Sequence, residues 1–180
     1  MKHKYLRELE VPAGVTCTLE KRIFKCEKGS ISIERKIIIP GVIVTISGDK
    51  VTFTARTGNK KTLANIHTWM AHMRNMFMGL ENAFVYHMEV CNVHFPITIK
   101  VENNHLIVSN FLGEKEKRTA FILPGVDVKI NGVHIEVKSP DVEAAGQTAA
   151  NIERATLVRK RDRRVFQDGI FITSKPGADS

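Results

Sequence analysis

The chain has 180 residues, 43% of them apolar, and 27 Lys and Arg against 19 Asp and Glu give it a formal net charge of +8. That apolar content supports a core and excludes a wholly disordered chain, and the length suits one domain or two small ones. The excess of cations points to a polyanionic partner, nucleic acid before an acidic membrane surface.

The N-terminal stretch MKHKYLRELEV lacks the apolar segment of a secretory signal. The most apolar run, residues 37–46, is broken by Pro40, Gly41 and Thr45 and falls short of a membrane span. A soluble intracellular protein is expected. Cys17, Cys26 and Cys91 are widely spaced and contain no Cys-x-x-Cys pair, which fits reduced, buried thiols better than a disulfide framework or a zinc site.

Short alternating strands are expected at 15–19, 23–26 and 30–35. A turn at Pro40-Gly41 feeds another through Val42, Val44 and Ile46, and Val51, Phe53 and Ala55 supply the next. Leu63, Ile66, Met70, Met73, Phe77 and Leu80 then fall at steps of three and four, the apolar stripe of a helix, with Gly79 as its breaker. Met70, Met73, Met76 and Met78 share that helix, and the spacing makes most of them core.

The pattern then repeats. Pro40-Gly41-Val42-x-Val44-x-Ile46-x-Gly48 recurs 84 residues later as Pro124-Gly125-Val126-x-Val128-x-Ile130-x-Gly132. Strands at 97–101, 106–108 and 118–123 match the first set, and Val133, Ile135 and Val137 match the strand after the turn. Ser139-Pro140-Asp141 reads as N-cap, first-turn proline and first-turn acid. Val142, Ala145, Ala149 and Ile152 give the second helix its stripe, although Gly146 inside it should cost about 1 kcal/mol relative to Ala. The fold class is α+β: a tandem duplication of a small domain, each an antiparallel sheet with one helix packed on one face, plus a basic C-terminal extension. The boundaries fall at 1–82, 83–158 and 159–180.

In the extension, five of the six residues 159–164 are cationic (Arg159, Lys160, Arg161, Arg163 and Arg164), opposed only by Asp162. Clustered guanidinium groups fork onto phosphate oxygens; a solvated charged face is the alternative. The apolar run Val165, Phe166, Ile170, Phe171 and Ile172 follows, about the turn dipeptide Asp168-Gly169. That turn is expected to pin the block to the fold, and truncation after Val158 to leave two folded domains.

The string Arg161-x-x-Arg164-x-Phe166-x-Asp168-Gly169-Ile170-Phe171, closing on Lys175, resembles the C-terminal signature of the large ribosomal subunit protein six family, in its archaeal and eukaryotic form (large-subunit protein nine in eukaryotes). His72-x-x-Asn75-Met76, His94-Phe95-Pro96, Asn110-Phe111-Leu112-Gly113-Glu114-Lys115 with Arg118, and Gly146-Gln147-Thr148-Ala149-Ala150-Asn151-Ile152 resemble further family blocks. The likeness covers nearly the whole chain. Arg154 stands where the family often has Gln, and Cys26-Glu27-Lys28-Gly29 where it usually has Gly-Pro-x-Gly. The resemblance implies a tandem α+β duplication and a structural, rRNA-binding role in the large ribosomal subunit, near the stalk base and the sarcin-ricin loop. It also implies neighbouring ribosomal proteins, including those of the stalk base, as partners, and a cytoplasmic, ribosome-bound location. The implied contacts are Arg159, Lys160, Arg161, Arg163, Arg164, Phe166, Asp168, Gly169, Phe171 and Lys175.

The loop from Asn110 to Arg118 is a second candidate contact: Gly113 lets the backbone approach a phosphate, and Lys115, Lys117 and Arg118 supply charge. A solvated turn is the alternative. His67 and His72 are five apart on the first helix and so do not form an i, i+4 ligand pair. Cys91 and His94 lie close together but fit no thiol-nucleophile motif, and no nucleophile elbow, phosphate loop or His-Glu-x-x-His occurs. No enzyme activity, cofactor, metal, small-molecule substrate or membrane is expected. The competing class is a free-standing binder of duplex RNA or of an anionic surface.

Overall fold

Alternation of buried and exposed side chains sets the strands of both halves. In the computed structural model, which describes residues 3–162 and 164–177, the chain divides into two units, Met1–Asn82 and Ala83–Ser180. The first contains β1 (His3–Glu10), β2 (Thr16–Glu20), β3 (Ile23–Lys28), β4 (Ile31–Lys36), β5 (Ile43–Ser47), β6 (Lys50–Gly58) and α1 (Lys60–Glu81). Its strands make two antiparallel sheets, β1-β6-β5 and β2-β3-β4. On β6 every second residue from Val51 (Val51, Phe53, Ala55) is buried, as a pleated strand with one covered face requires. The Asn59 side chain accepts from the Thr62 amide at 3.0 Å while Thr62 Oγ1 accepts from the Asn59 amide at 3.3 Å, a reciprocal cap that starts α1. Ile66, Met70, Met73, Met76, Phe77 and Leu80 face the core, and Met78 faces solvent. Gly79 does not break the helix. It is buried, and α1 ends at Glu81 because Asn82 turns extended, its amide donating to the Met78 carbonyl.

The second unit repeats this order in β7 (Phe84–Cys91), β8 (Thr98–Glu102), β9 (His105–Ser109), β10 (Arg118–Phe121), β11 (Asp127–Asn131), β12 (His134–Ser139) and α2 (Val142–Ala155). The repeated Pro-Gly does the same work in both halves. Val42 N–H donates to the Ile39 carbonyl and Val126 N–H to the Leu123 carbonyl, with Gly41 and Gly125 at φ of 73° and 76°. This is the type II pattern, in which position three requires positive φ. Proline cannot donate to a ladder, so the turn ends one sheet and starts another. Each half therefore holds two small sheets, not the single sheet expected.

The start of α2 also differs from expectation. Asp141, not Ser139, is the N-cap, accepting from the Glu143 amide at 2.9 Å. Ser139 Oγ instead donates to the Gly125 carbonyl and accepts from the Asp141 amide, tying the cap to the turn. Gly146 has a packing reason: a Cβ there would lie 2.8 Å from the Tyr86 hydroxyl on β7.

The residues expected to form an appended extension contribute a strand of the second unit. β13 (Gly169–Ser174) pairs antiparallel with β7, Ile170 opposite Val90 and Ile172 opposite Met88, completing the sheet β11-β12-β7-β13 beside β8-β9-β10. Ile170 is fully buried in the core with Met88, Ile135 and Ile152. Asp168-Gly169 is not a turn, because the Asp168 side chain is taken up by another loop and Gly169 opens β13. Truncation after Val158 would thus remove a strand and a core side chain, against the sequence expectation. Among the described residues no helix is long and apolar enough to cross a membrane.

Candidate nucleic-acid interface

Three segments distant in sequence meet on one face of the second unit. The first contact is a buried carboxylate. The Asp168 side chain has no exposure, and its Oδ1 accepts from the amides of Val93 at 2.9 Å and His94 at 3.0 Å. Its Oδ2 lies 2.6 Å from His94 Nδ1, and since an ionised carboxylate only accepts, Nδ1 carries the shared proton. Burial pushes the Asp168 carboxyl up. The hydrogen bonds from His94 backbone and ring and from the Val93 amide outweigh it and hold the group below its ordinary value.

That clamp fixes an exposed stack. The His94 ring lies on Phe166 with centroids 4.9 Å apart and planes 28° from parallel. On Phe166 also sits Arg161, its Cζ 4.8 Å from the ring centroid. The chain reaches Phe166 through a turn built by Asp162, whose Oδ1 accepts from the Arg164 amide and whose carbonyl accepts from the amides of Val165 and Phe166. Asp162, the one acid of the basic block, shapes its backbone. Arg159, Lys160, Arg161 and Arg164 are exposed, with Lys160 at φ 57°; Arg163 lies outside the described residues. Beyond them, Phe171 and Lys175 are exposed and Gly169 is buried. A Cβ on Gly169 would approach the Phe171 ring to 3.0 Å.

The loop after β9 joins the same face. Asn110 sits at φ 59° and donates from Nδ2 to the Pro96 carbonyl, and Gly113 (φ 77°) leaves room for the Phe95 ring. Arg118 forks onto Glu114 at 2.6 and 2.8 Å. Its third nitrogen donates to the carbonyls of Ala155 and Leu157 at the C-terminus of α2, where a cation suits the helix dipole. Its guanidinium also lies 4.2 Å from the Phe111 centroid. Hydrogen bonds from Arg118 hold the Glu114 carboxyl below its usual value against burial, with the charges of Arg118 and Arg161 adding to them. Arg118 is therefore occupied inside the fold, while Lys115 and Lys117 are exposed.

Between the end of β7, the C-terminal part of α2 and the segment leading into β13 is a cavity of about 900 Å³, walled in part by Cys91, Arg154, Leu157, Arg164, Phe166 and Phe171. Thr156, buried at its edge, accepts from the Ile170 amide at 2.9 Å and ties β13 to the end of α2. Sequence reasoning singled out neither His94 nor Thr156 as part of the site. Asp168 and His94 are 74 residues apart, so no local pattern joins them. Among the described residues no group of three or more His, Cys, Asp or Glu is placed to hold a metal.

Residues 95–169 match the family model described as Ribosomal protein L6. The chain is 40% identical over 169 residues to the large ribosomal subunit protein uL6 of Haloarcula marismortui, covering 94% of this chain and 95% of the relative. It is 43% identical over 173 residues to the protein of that name from Methanocella arvoryzae, with 94% and 97% covered. A third relative so named, from Methanococcus vannielii, is 37% identical over 170 residues, with 94% and 93% covered.

Proposed function

The chain belongs to the ribosomal protein L6 family, and from that membership we propose that it is a structural constituent of the large ribosomal subunit, gripping large-subunit rRNA with one face of its second unit. The role is binding and positioning, without turnover, on the cytoplasmic ribosome. The observation that carries the reading is the Arg161–Phe166–His94 stack, held by buried Asp168 beside an exposed arginine-rich block. Arg159, Lys160, Arg161, Arg163 and Arg164 neutralise phosphates and release counterions. Phe166, with Phe171 and the cavity beside them, offers apolar surface to an unstacked base or sugar, the way proteins read irregular RNA. Lys115 and Lys117 extend the cationic face, and Lys175 continues it past β13. Asn110, Gly113, Arg118, Asp168 and Gly169 serve by positioning: their polar groups or backbone are used to hold the two loops. The site on the subunit is the neighbourhood of the stalk base and the sarcin-ricin loop, with stalk-base proteins as neighbours.

Two measurements test this. Replacing Arg159, Arg161 and Arg164 together by Ala should lower the slope of log K against log salt for large-subunit rRNA by about 2 to 3, at roughly 0.7 to 0.9 per phosphate contact. An unchanged slope would make the block a solvated face. A chemical footprint of large-subunit rRNA with and without the protein should protect nucleotides at the stalk base and sarcin-ricin loop; protection confined elsewhere removes the placement but not the binding.

A further inference from the structure

Two thiols meet in the first unit, which supplies none of the residues of the face described above. Cys17 on β2 and Cys26 on β3 are register partners, and their Sγ atoms are 3.2 Å apart. The strands are joined by a two-residue turn, Lys21-Arg22, with both residues at positive φ (45° and 69°), so Glu20 and Ile23 close the hairpin as a hydrogen-bonded pair. Alternating back along the ladder places Cys17 and Cys26 at a non-hydrogen-bonded pair, where Cα atoms lie about 4.5 Å apart and side chains approach most closely. A disulfide spans Cα separations of roughly 4.4 to 6.8 Å. The backbone already holds the two sulfurs where a bond between them needs a side-chain rotation and no strand movement.

We propose that Cys17 and Cys26 are a redox-modification site whose co-substrate is a low-molecular-weight disulfide, and that the product is a cross-strand disulfide. Burial assigns the roles. Cys17 is partly exposed and reachable by a small reagent; Cys26 is wholly buried among Phe24, Ile33 and Phe53 and reachable only by its neighbour. The shared hydrogen bond acts in the same sense, lowering the Cys17 thiol against the effect of burial and raising that of Cys26, which burial raises further. The Cys17 thiolate attacks one sulfur of the small disulfide, forming a mixed disulfide and releasing one small thiolate. Cys26 then gives up its proton, and its sulfur displaces the second small thiolate from Cys17. The protein loses two electrons and two protons, and one disulfide is reduced to two thiols.

The test uses the full chain treated under native conditions with glutathione disulfide, which is removed before the remaining thiols are alkylated with iodoacetamide in urea and the protein is digested with trypsin without reductant. Lys21, Arg22 and Lys25 lie between the two cysteines, so the link is read directly as two joined peptides. The expected result is loss of alkylation at Cys17 and Cys26 with the joined pair recovered, while Cys91, in the other unit, takes alkyl or glutathione and enters no intramolecular link. Cys17→Ser should abolish the joined peptides and leave native Cys26 unreactive. Cys26→Ala should trap glutathione on Cys17. Treated wild-type protein that retains all three alkylatable thiols, or that yields the joined pair only after unfolding, overturns the proposal. So does a pairing of either thiol with Cys91.

Discussion

Replacing Asp168 separates a positioning carboxylate from a simple charge. Its side chain is wholly buried and accepts two backbone amides and the His94 ring. A hydrogen bond to a charged group contributes about 1.5 to 3 kcal/mol, and an amide left buried without a partner costs about 1 to 3 kcal/mol. Asp168→Ala strands the Val93 and His94 amides in part-buried positions, so a loss of about 3 to 5 kcal/mol in the second unit is expected. Asp168→Asn keeps an oxygen for both amides and should lose about 1 to 2 kcal/mol. Urea unfolding followed by far-UV circular dichroism reads the change; Trp69, the one tryptophan, sits on α1 and reports the first unit as an internal control. Affinity for rRNA gives the sharper reading. Asp168→Ala raises the net charge by one, so electrostatics alone predicts tighter binding, whereas loss of the clamp predicts weaker binding because His94 and Phe166 are no longer held. An Ala variant as stable as wild type that binds RNA at least as tightly would refute the clamp.

The same carboxylate sets a pH dependence. Its folded value is held below the usual 3.8, so its contribution is complete above about pH 4 and is lost as pH falls through the lowered folded value; acid melts of Asp168→Asn should be flatter over that range, and parallel curves would count against it. Ile170→Ala should cost about 2 to 5 kcal/mol, since the side chain is fully buried, and a loss near zero in chemical denaturation would mean that β13 is peripheral after all. Gly125→Val forces a β-branched residue to φ 76° and should cost about 1 to 2 kcal/mol, with an unshifted thermal midpoint as the contrary result.

The duplication was legible because both copies of Pro-Gly solve the same local problem, and a positive φ followed by alternating Val and Ile leaves a mark in sequence. The helical stripes were legible for the same reason: Ile66, Met70, Met73, Phe77 and Leu80 answer to one periodicity. What escaped was decided by partners far away. Asp168-Gly169 has turn chemistry locally, yet the amides of Val93 and His94 compete for that carboxylate and the open edge of β7 competes for the backbone after it. Arg118 looked like a surface cation until the C-terminus of α2 was placed beside it, 37 residues on. Ser139 lost the cap to Asp141 because the Gly125 carbonyl, brought near by the repeated turn, takes its hydroxyl.

The appended segment explains why the candidate face belongs to the second copy. Among the described residues β1 pairs only with β6, whereas the equivalent β7 is paired on both edges. Filling the second edge with β13 carries residues 156–162 and 164–168 past the end of α2, and Asp168, Thr156 and Arg118 fasten that crossing at three points. The solvent-exposed part of the face is then charge, and the part held by contacts within the fold is the aromatic stack. These contributions are separable. Charge acts through counterion release and appears in the salt slope; rigidity acts through the entropy of ordering on binding and does not. Phe166→Leu keeps every charge and an apolar side chain but removes the ring that His94 and Arg161 stack against. It should weaken rRNA binding severalfold at every salt concentration, giving a line parallel to wild type, while the arginine variants change the slope itself. If Phe166→Leu changes the slope, or leaves affinity untouched, the stack is no independent element of recognition and the basic block acts alone.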